Sequence, residues 1–266
     1  MNIAFWSNVR HQSGVTSSVA LISVLWTELF VEEIAVTSNH ISNAGLIKRL
    51  YGGSAIEEKT TQKAYCYIWG EPEYFRLLYG GKIRTTLWLN DNLRFIPMTG
   101  EDEGLFYTRG LKNVGKEVLE RTHLMIDTAC GYGLCSQQIL EDAEVTVVLF
   151  PQEKECIDTF FQSETVLREN SFFILGNYRE GLPCRPSYLT RQYKIPKERI
   201  GVIPYSCDFE QAMREGSTIG YIAGNINCTK RNTAYRFIRY ATKTVEDLRR
   251  YVISRRKTEC GDCGKV

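Results

Sequence analysis

The sequence predicts a three-layer α/β domain, a mostly parallel, twisted sheet with helices on both faces, and three observations carry that prediction. Short segments that are apolar nearly throughout alternate with longer stretches of helical periodicity. A strand buried on both faces reads as a continuous apolar run, and a helix between successive strands is what a parallel crossover needs. The 266 residues, 43% hydrophobic and 24% charged, are enough for one sizeable core. Pro, Gly and Ser nowhere cluster into a linker, and no repeat is present. One domain is therefore expected over residues 1–254. An irregular, insertion-like segment, rich in Tyr and Gly, occupies 39–92, its part from about 50 to 92 expected to face a partner, and a basic, Cys-containing tail follows at 255–266.

"IAFWS" (3–7) is the first strand. "TSSVALISVLWTELF" (16–30) is a helix, because Val19, Leu21, Ile22, Leu25, Trp26 and Leu29 form one broad apolar stripe. "EIAVTS" (33–38) is the second strand. Short helices are expected around "GLIKRLYGG" and "EPEYFRLLYGG", each closed by a Gly pair suited to a helix C-terminus. Next come "LRFIP" (93–97), a helix around 110–121 and the strand "HLMIDTA" (123–129). "EVTVVLF" (144–150), a helix over 152–168, "SFFILG" (171–176), a shorter helix near 185–194 and "IGVIPY" (200–205) continue the alternation. The last helix, roughly 230–254, sets Tyr235, Phe237, Ile238, Tyr240, Ala241, Val245, Leu248 and Val252 along its apolar side.

The formal net charge of +2 gives no global field that argues for nucleic acid or membrane. No run approaches the apolar length of a transmembrane helix, and "MNIAFWSNVR" lacks the pattern of a secretory leader. Nine cysteines, an odd number widely scattered, read as reduced cytoplasmic thiols rather than a disulfide framework. The closing "CGDCGKV" holds one Cys-x-x-Cys pair with no second pair at zinc spacing, so no structural metal is expected. Arg236, Arg239, Lys243, Arg249, Arg250, Arg255, Arg256 and Lys257 make the last helix and tail basic. A solvated helix face is the ordinary reading, and a weak contact with membrane or DNA is the other.

Chemistry points first to "NVRHQSGVTSS" (8–18), between the first strand and the first helix. Backbone N–H groups and the positive end of a helix converge at such a place and favour phosphate. Gly14 permits the tight turn, and Thr16 or Ser17 offers a hydroxyl as helix cap or as Mg²⁺ ligand. A phosphate loop needs lysine between Gly14 and Thr16, and Val15 stands there. Asp127 falls at a strand end, where open α/β sheets bind ligands, although such an Asp also commonly caps a turn. His40 could position a water, but a lone loop histidine is more often a surface residue than a catalyst.

These segments together resemble the MinD/ParA branch of P-loop ATPases (the SIMIBI class), with a degenerate phosphate loop. The family's opening strand and Lys-Gly-Gly-Val-Gly-Lys-Thr-Ser/Thr loop fall here so that Arg10 meets the branch-specific lysine, Gly14 the last glycine and Val15 the phosphate lysine. "MIDTACGYG" resembles the strand ending in Asp-x-x-x-Gly. The resemblance implies that Asp127 acts on Mg²⁺ through water and that Gly131 senses the terminal phosphate. "FFILGNYREG" resembles the strand whose final Asn, here Asn177, reads the adenine edge, and "IGVIPYSCDFEQAMREG" resembles the Ile-Pro strand whose loop, Pro204 to Asp208, lies against the base. Where the family has Asp-x-Asp after its second strand, Ser38 and His40 stand. Arg10 keeps the charge that reaches a partner's phosphate across a dimer in the family; an ordinary solvated arginine is the other reading.

Losing the lysine removes a charge-assisted hydrogen bond of about 1.5–3 kcal/mol, hence about 10- to 200-fold in binding, and transition-state support with it. The resemblance is nearest in kind to pilus-assembly localisation proteins of the TadZ/CpaE type. It implies a homodimeric, cytoplasmic scaffold or localisation factor, working with other proteins of a pilus or tight-adherence assembly and recruited to the inner face of the membrane. ATP or ADP with Mg²⁺ is the cofactor to be expected if one binds, with Thr16 facing the metal. The alternative is an active ATP-dependent dimerisation switch with a rearranged phosphate site. A third option, an Fe–S carrier, has only Cys130 and Cys135 to offer, at a spacing that does not match.

Overall fold

The computed structural model describes residues 1–9, 13–39, 44–51, 87–96, 122–163 and 169–262. Their strands are β1 (Asn2–Trp6), β2 (Glu33–Ser38), β3 (Leu87–Trp88), β4 (Leu93–Phe95), β5 (Thr122–Asp127), β6 (Val145–Phe150), β7 (Ser171–Tyr178) and β8 (Ile200–Pro204). They form one sheet in the order β3-β4-β2-β5-β1-β6-β7-β8, parallel throughout except for β3 against β4. The helices are α1 (Val15–Leu29), α2 (Ala44–Tyr51), α3 (Leu134–Asp142), α4 (Lys154–Ser163), α5 (Pro186–Tyr193), α6 (Cys207–Glu215), α7 (Thr218–Asn225) and α8 (Tyr235–Asp262), with a 3₁₀ turn at Lys197–Arg199. This is the three-layer, mostly parallel α/β fold that the apolar alternation predicts.

Strand alternation builds two cores. On β1, Ile3 and Phe5 face one side, with α1, α2, α6, α7 and α8 packed over them. Ala4 and Trp6 face the other, under α3, α4 and α5. Both faces of the central strands are therefore dry, which is why β6 reads "VTVVLF" without polar alternation. The edge strand β8 is closed by α8. Thr244 accepts a hydrogen bond from the Val202 N–H at 2.9 Å and donates to the Val202 carbonyl at 2.8 Å, satisfying backbone groups that an edge leaves open.

Two segments differ from expectation. The loop expected from Pro204 to Asp208 gives way at Cys207 to α6, and α7 follows in a stretch for which no element was expected. The signals are local: Ser206 caps α6 by accepting from the Phe209 N–H at 3.2 Å, Asp208 and Glu210 stand in its first turn, and Gly216 ends it at φ 68°. The last helix begins at Tyr235 rather than near 230 and runs on to Asp262, through most of the stretch expected as a tail. Within the 39–92 segment stand α2 and β3, the latter paired antiparallel with β4 in the expected strand 93–97. The helices expected around 71–81 and 110–121 lie outside the described residues. Among the described residues no helix is long and apolar enough to cross a membrane.

Several cations of the basic last helix face carboxylates. Arg249 bonds Glu32 and lies 4.4 Å from the Phe30 ring centre, Arg236 pairs with Glu180, and Lys243 and Arg250 share Asp247. The Arg236–Glu180 pair is exposed at both ends and contributes little to stability, whereas the Asp247 carboxylate is buried beneath its two exposed cations.

Candidate functional site

Open α/β sheets bind ligands beyond the carboxyl ends of their strands, where the strand order turns. β1 lies between β5 and β6, and the chain visits β2, β4 and β5 on one side before crossing to β6, β7 and β8 on the other. The turn in the order falls at the end of β1, over the segment that leads into α1. Gly14 caps α1 at φ 72° and ψ 31°, a left-handed conformation that side chains resist. Its carbonyl accepts the first helical bond, from the Ser18 N–H at 2.8 Å. Among the described residues no side chain caps this end, and its first turn holds no acidic residue, so the leading N–H groups and the helix dipole favour an anion there.

The loop reaches this position because β7 lets it come close. A Cβ on Gly176 would stand 2.5 Å from the Ser13 carbonyl oxygen, nearer than any side chain permits. Just beyond, Asn177 adopts φ 50° and its amide nitrogen lies near Gly14. A cavity of about 250 Å³ opens here, lined by Gly14, Ser17 and Ser18 from the loop and α1, Gly176 and Asn177 from β7, and Pro204 to Ser206 beyond β8. Arg49 of α2 and Glu210 of α6 are its charged members among the described residues. Burial and hydrogen bonding set their neighbours: Glu210 bonds Arg214 and accepts from the Tyr205 hydroxyl at 3.1 Å. Those bonds, Arg214's first, hold its carboxyl below the ordinary range, and the same bond pushes the Tyr205 hydroxyl up.

The residues singled out from sequence distribute as follows. Gly14, Ser17, Asn177 and Pro204 line one cavity. Thr16 is half-buried beside them, whereas Val15 is only 5% exposed and packs into the core on the α1 side. Asp208 faces the other side of the 204–208 loop, where it accepts from Thr233 at 3.3 Å in a neighbouring cleft of about 460 Å³. Asp127 is buried at the end of β5, opposite Ser38 in the ladder, and accepts from the Ser38 hydroxyl at 3.4 Å. Gly131, at φ 86°, directs its N–H at the Ser7 carbonyl (3.4 Å), and its own carbonyl accepts from the Trp6 indole at 3.0 Å. Arg10 and His40 lie outside the described residues.

Three contributors escaped the sequence reading. Gly176 was legible only as part of a strand, since its role depends on where the loop passes. Arg49 sits in a helix 35 positions from Gly14 in the chain, and no local pattern joins them. Asn39 is buried and ties the ends of β2 and β5 together. Its carbonyl oxygen accepts from the Ala129 N–H at 2.5 Å, and its amide donates to Ser136 at 3.3 Å. Cys130 is half-buried and Cys135 buried; among the described residues no group of three or more His, Cys, Asp or Glu could hold a metal.

A parallel sheet with a glycine-turned loop at the strand-order switch defines a class, the α/β folds that hold phosphate at a helix N-terminus. No family model and no curated protein matches the chain. Solved structures do. The cell division ATPase MinD of Pyrococcus furiosus has a TM-score of 0.67 at 14% identity, over 94% of this chain and 98% of that one. The septum site-determining protein MinD of Pyrococcus horikoshii, complexed with Mg-ADP, has a TM-score of 0.65 at 15% identity, over 93% and 96%. A plasmid partition protein of Borrelia burgdorferi B31 bound to AMPPNP has a TM-score of 0.61 at 12% identity, over 94% and 98%. The chain thus has the P-loop NTPase fold in its MinD/ParA form.

Proposed function

We propose that this protein is a degenerate MinD/ParA-like ATPase homologue that binds a nucleotide, hydrolyses ATP weakly or not at all, and works as a homodimeric scaffold or localisation factor. The observation that carries this reading is Val15. The position where a phosphate loop needs lysine holds a buried apolar side chain, while the cavity beside the loop remains open. Ser38, where the family pattern has a carboxylate, adds a hydroxyl bonded to Asp127 and no second charge. Nucleotide binding is supported by the cavity's composition and by two similar structures that hold Mg-ADP and AMPPNP. Thr16 would face the Mg²⁺, Asn177 and Pro204 the base, with Asp208 on the outer side of the same loop. The family resemblance supports a cytoplasmic place in a pilus or tight-adherence assembly of the TadZ/CpaE kind. Recruitment to the membrane would use cations of the last helix that have no carboxylate partner among the described residues.

The second reading, an active ATP-dependent dimerisation switch, has Asp127 in its favour, buried at the strand end nearest the loop. Phosphate release from Mg-ATP separates the two. The full chain is expected to stay at the no-protein background. Turnover above background that Asp127→Ala abolishes would replace the scaffold with the switch.

A further inference from the structure

Arg49 stands in the last turn of α2, and that turn is anchored. The Arg49 carbonyl accepts a hydrogen bond from Thr218 at 2.6 Å, and Thr218 is fully buried at the start of α7. The side chain lines the cavity shared by Gly14, Ser17, Gly176 and Asn177, where it is the sole cation among the described residues of that lining. Its charge reaches Glu210, whose carboxyl is held down chiefly by Arg214, then by Tyr205, and also by Arg49. Glu210 therefore keeps two partners if Arg49 turns to another anion. The helix N-terminus at Gly14 offers N–H groups to the same space, and a guanidinium fork matches phosphate oxygens.

We infer that Arg49 is the cation that meets the phosphate of a bound nucleotide in place of the loop lysine, so that charge lost from α1 is supplied from α2. This rests on the reading that the cavity holds a nucleotide. Arg49 is then a binding residue that sets preference for nucleotide over nucleoside and does no hydrolytic work.

Calorimetry on the full chain with adenosine, AMP and ADP, each with Mg²⁺, tests it in the wild type, Arg49→Met, Arg49→Lys and Arg10→Met. The wild type is expected to bind AMP and ADP roughly tenfold or more tighter than adenosine. Arg49→Met should remove most of that preference, Arg49→Lys should restore part of it, and Arg10→Met should remove less of it than Arg49→Met does. If Arg49→Met keeps the phosphate preference, or Arg10→Met removes it from AMP, the assignment is overturned and the nucleotide reading stands. Equal affinity of the wild type for all three also overturns it. Binding of none overturns the nucleotide reading and Arg49's role together. Should Arg49→Met fail to fold by circular dichroism, Glu210→Gln decides: removing the competing carboxylate should tighten ADP and leave adenosine alone, and no change in ADP counts against the proposal.

Discussion

Val15 and Gly176 show how single positions decide what a site can do. Val15 is the first residue of α1 and buries its side chain in the core that α1 shares with β1 and β2, so this position contributes packing rather than charge. Gly176 contributes by having no side chain, because the Ser13 carbonyl occupies the place a Cβ would take. His123 shows another residue-scale effect, distant from the cavity. Burial, helped by the nearby N-terminal ammonium, pushes its imidazole down from 6.5 to about 4, although Glu32 at 3.7 Å pulls the other way. Its Nδ1 is buried with no hydrogen-bond partner among the described residues, as suits a neutral ring packed 5.6 Å from Trp26. The folded pKa lies below the unfolded one, so the unfolded chain takes the proton first as pH falls. Stability should therefore be full above pH 6.5 and decline toward pH 4, by about 1.4 kcal/mol per unit and ~3 kcal/mol at most. Chemical denaturation at pH 7 and pH 4.5 should show that decline in the wild type and a smaller one in His123→Phe. Equal declines would remove His123 from the explanation.

At the scale of elements, the site exists because strands and helices end at the same level. β1, β5, β7 and β8 all finish at one edge of the sheet, and α1, α2 and α6 bring their ends to it. α8 holds the far side of that arrangement. It packs so close to β8 that a Cβ on Gly201 would collide with Thr244, and Thr244 in turn satisfies both backbone groups of Val202. Thr244→Val keeps the shape and removes both bonds. It should cost about 1–3 kcal/mol, read as a lower denaturation midpoint, while Thr244→Ser should recover most of the loss. A valine variant as stable as wild type would mean that α8 holds the edge by apolar packing alone. The elements themselves were mostly legible, because doubly buried strands and amphipathic helices leave strong periodic signals. α6 was missed because Pro204 to Asp208 resemble a base-contacting loop in the family pattern, and that likeness outweighed the caps at Ser206 and Gly216.

At the scale of the whole molecule, the candidate site was legible only where it follows a local pattern. Gly14, Ser17, Asn177 and Pro204 sit at strand ends and turns, where spacing along the chain reports position in space, and they meet at one cavity. Arg49, Gly176 and Asn39 act through contacts between distant segments, and no spacing rule reaches them. The same distinction explains how the fold can be shared with MinD structures at 14–15% identity while valine stands between Gly14 and Thr16. Core alternation tolerates exchange of one apolar residue for another, whereas a phosphate lysine has no apolar equivalent. The central claim, that the loop keeps a phosphate site whose lysine has been lost, is tested most directly by titrating the full chain and Val15→Lys with Mg-ADP. The account expects measurable binding by the wild type and binding about 10- to 200-fold tighter by Val15→Lys. A folded wild type and a folded Val15→Lys that both bind no Mg-ADP would contradict it, because the loop would then hold no phosphate.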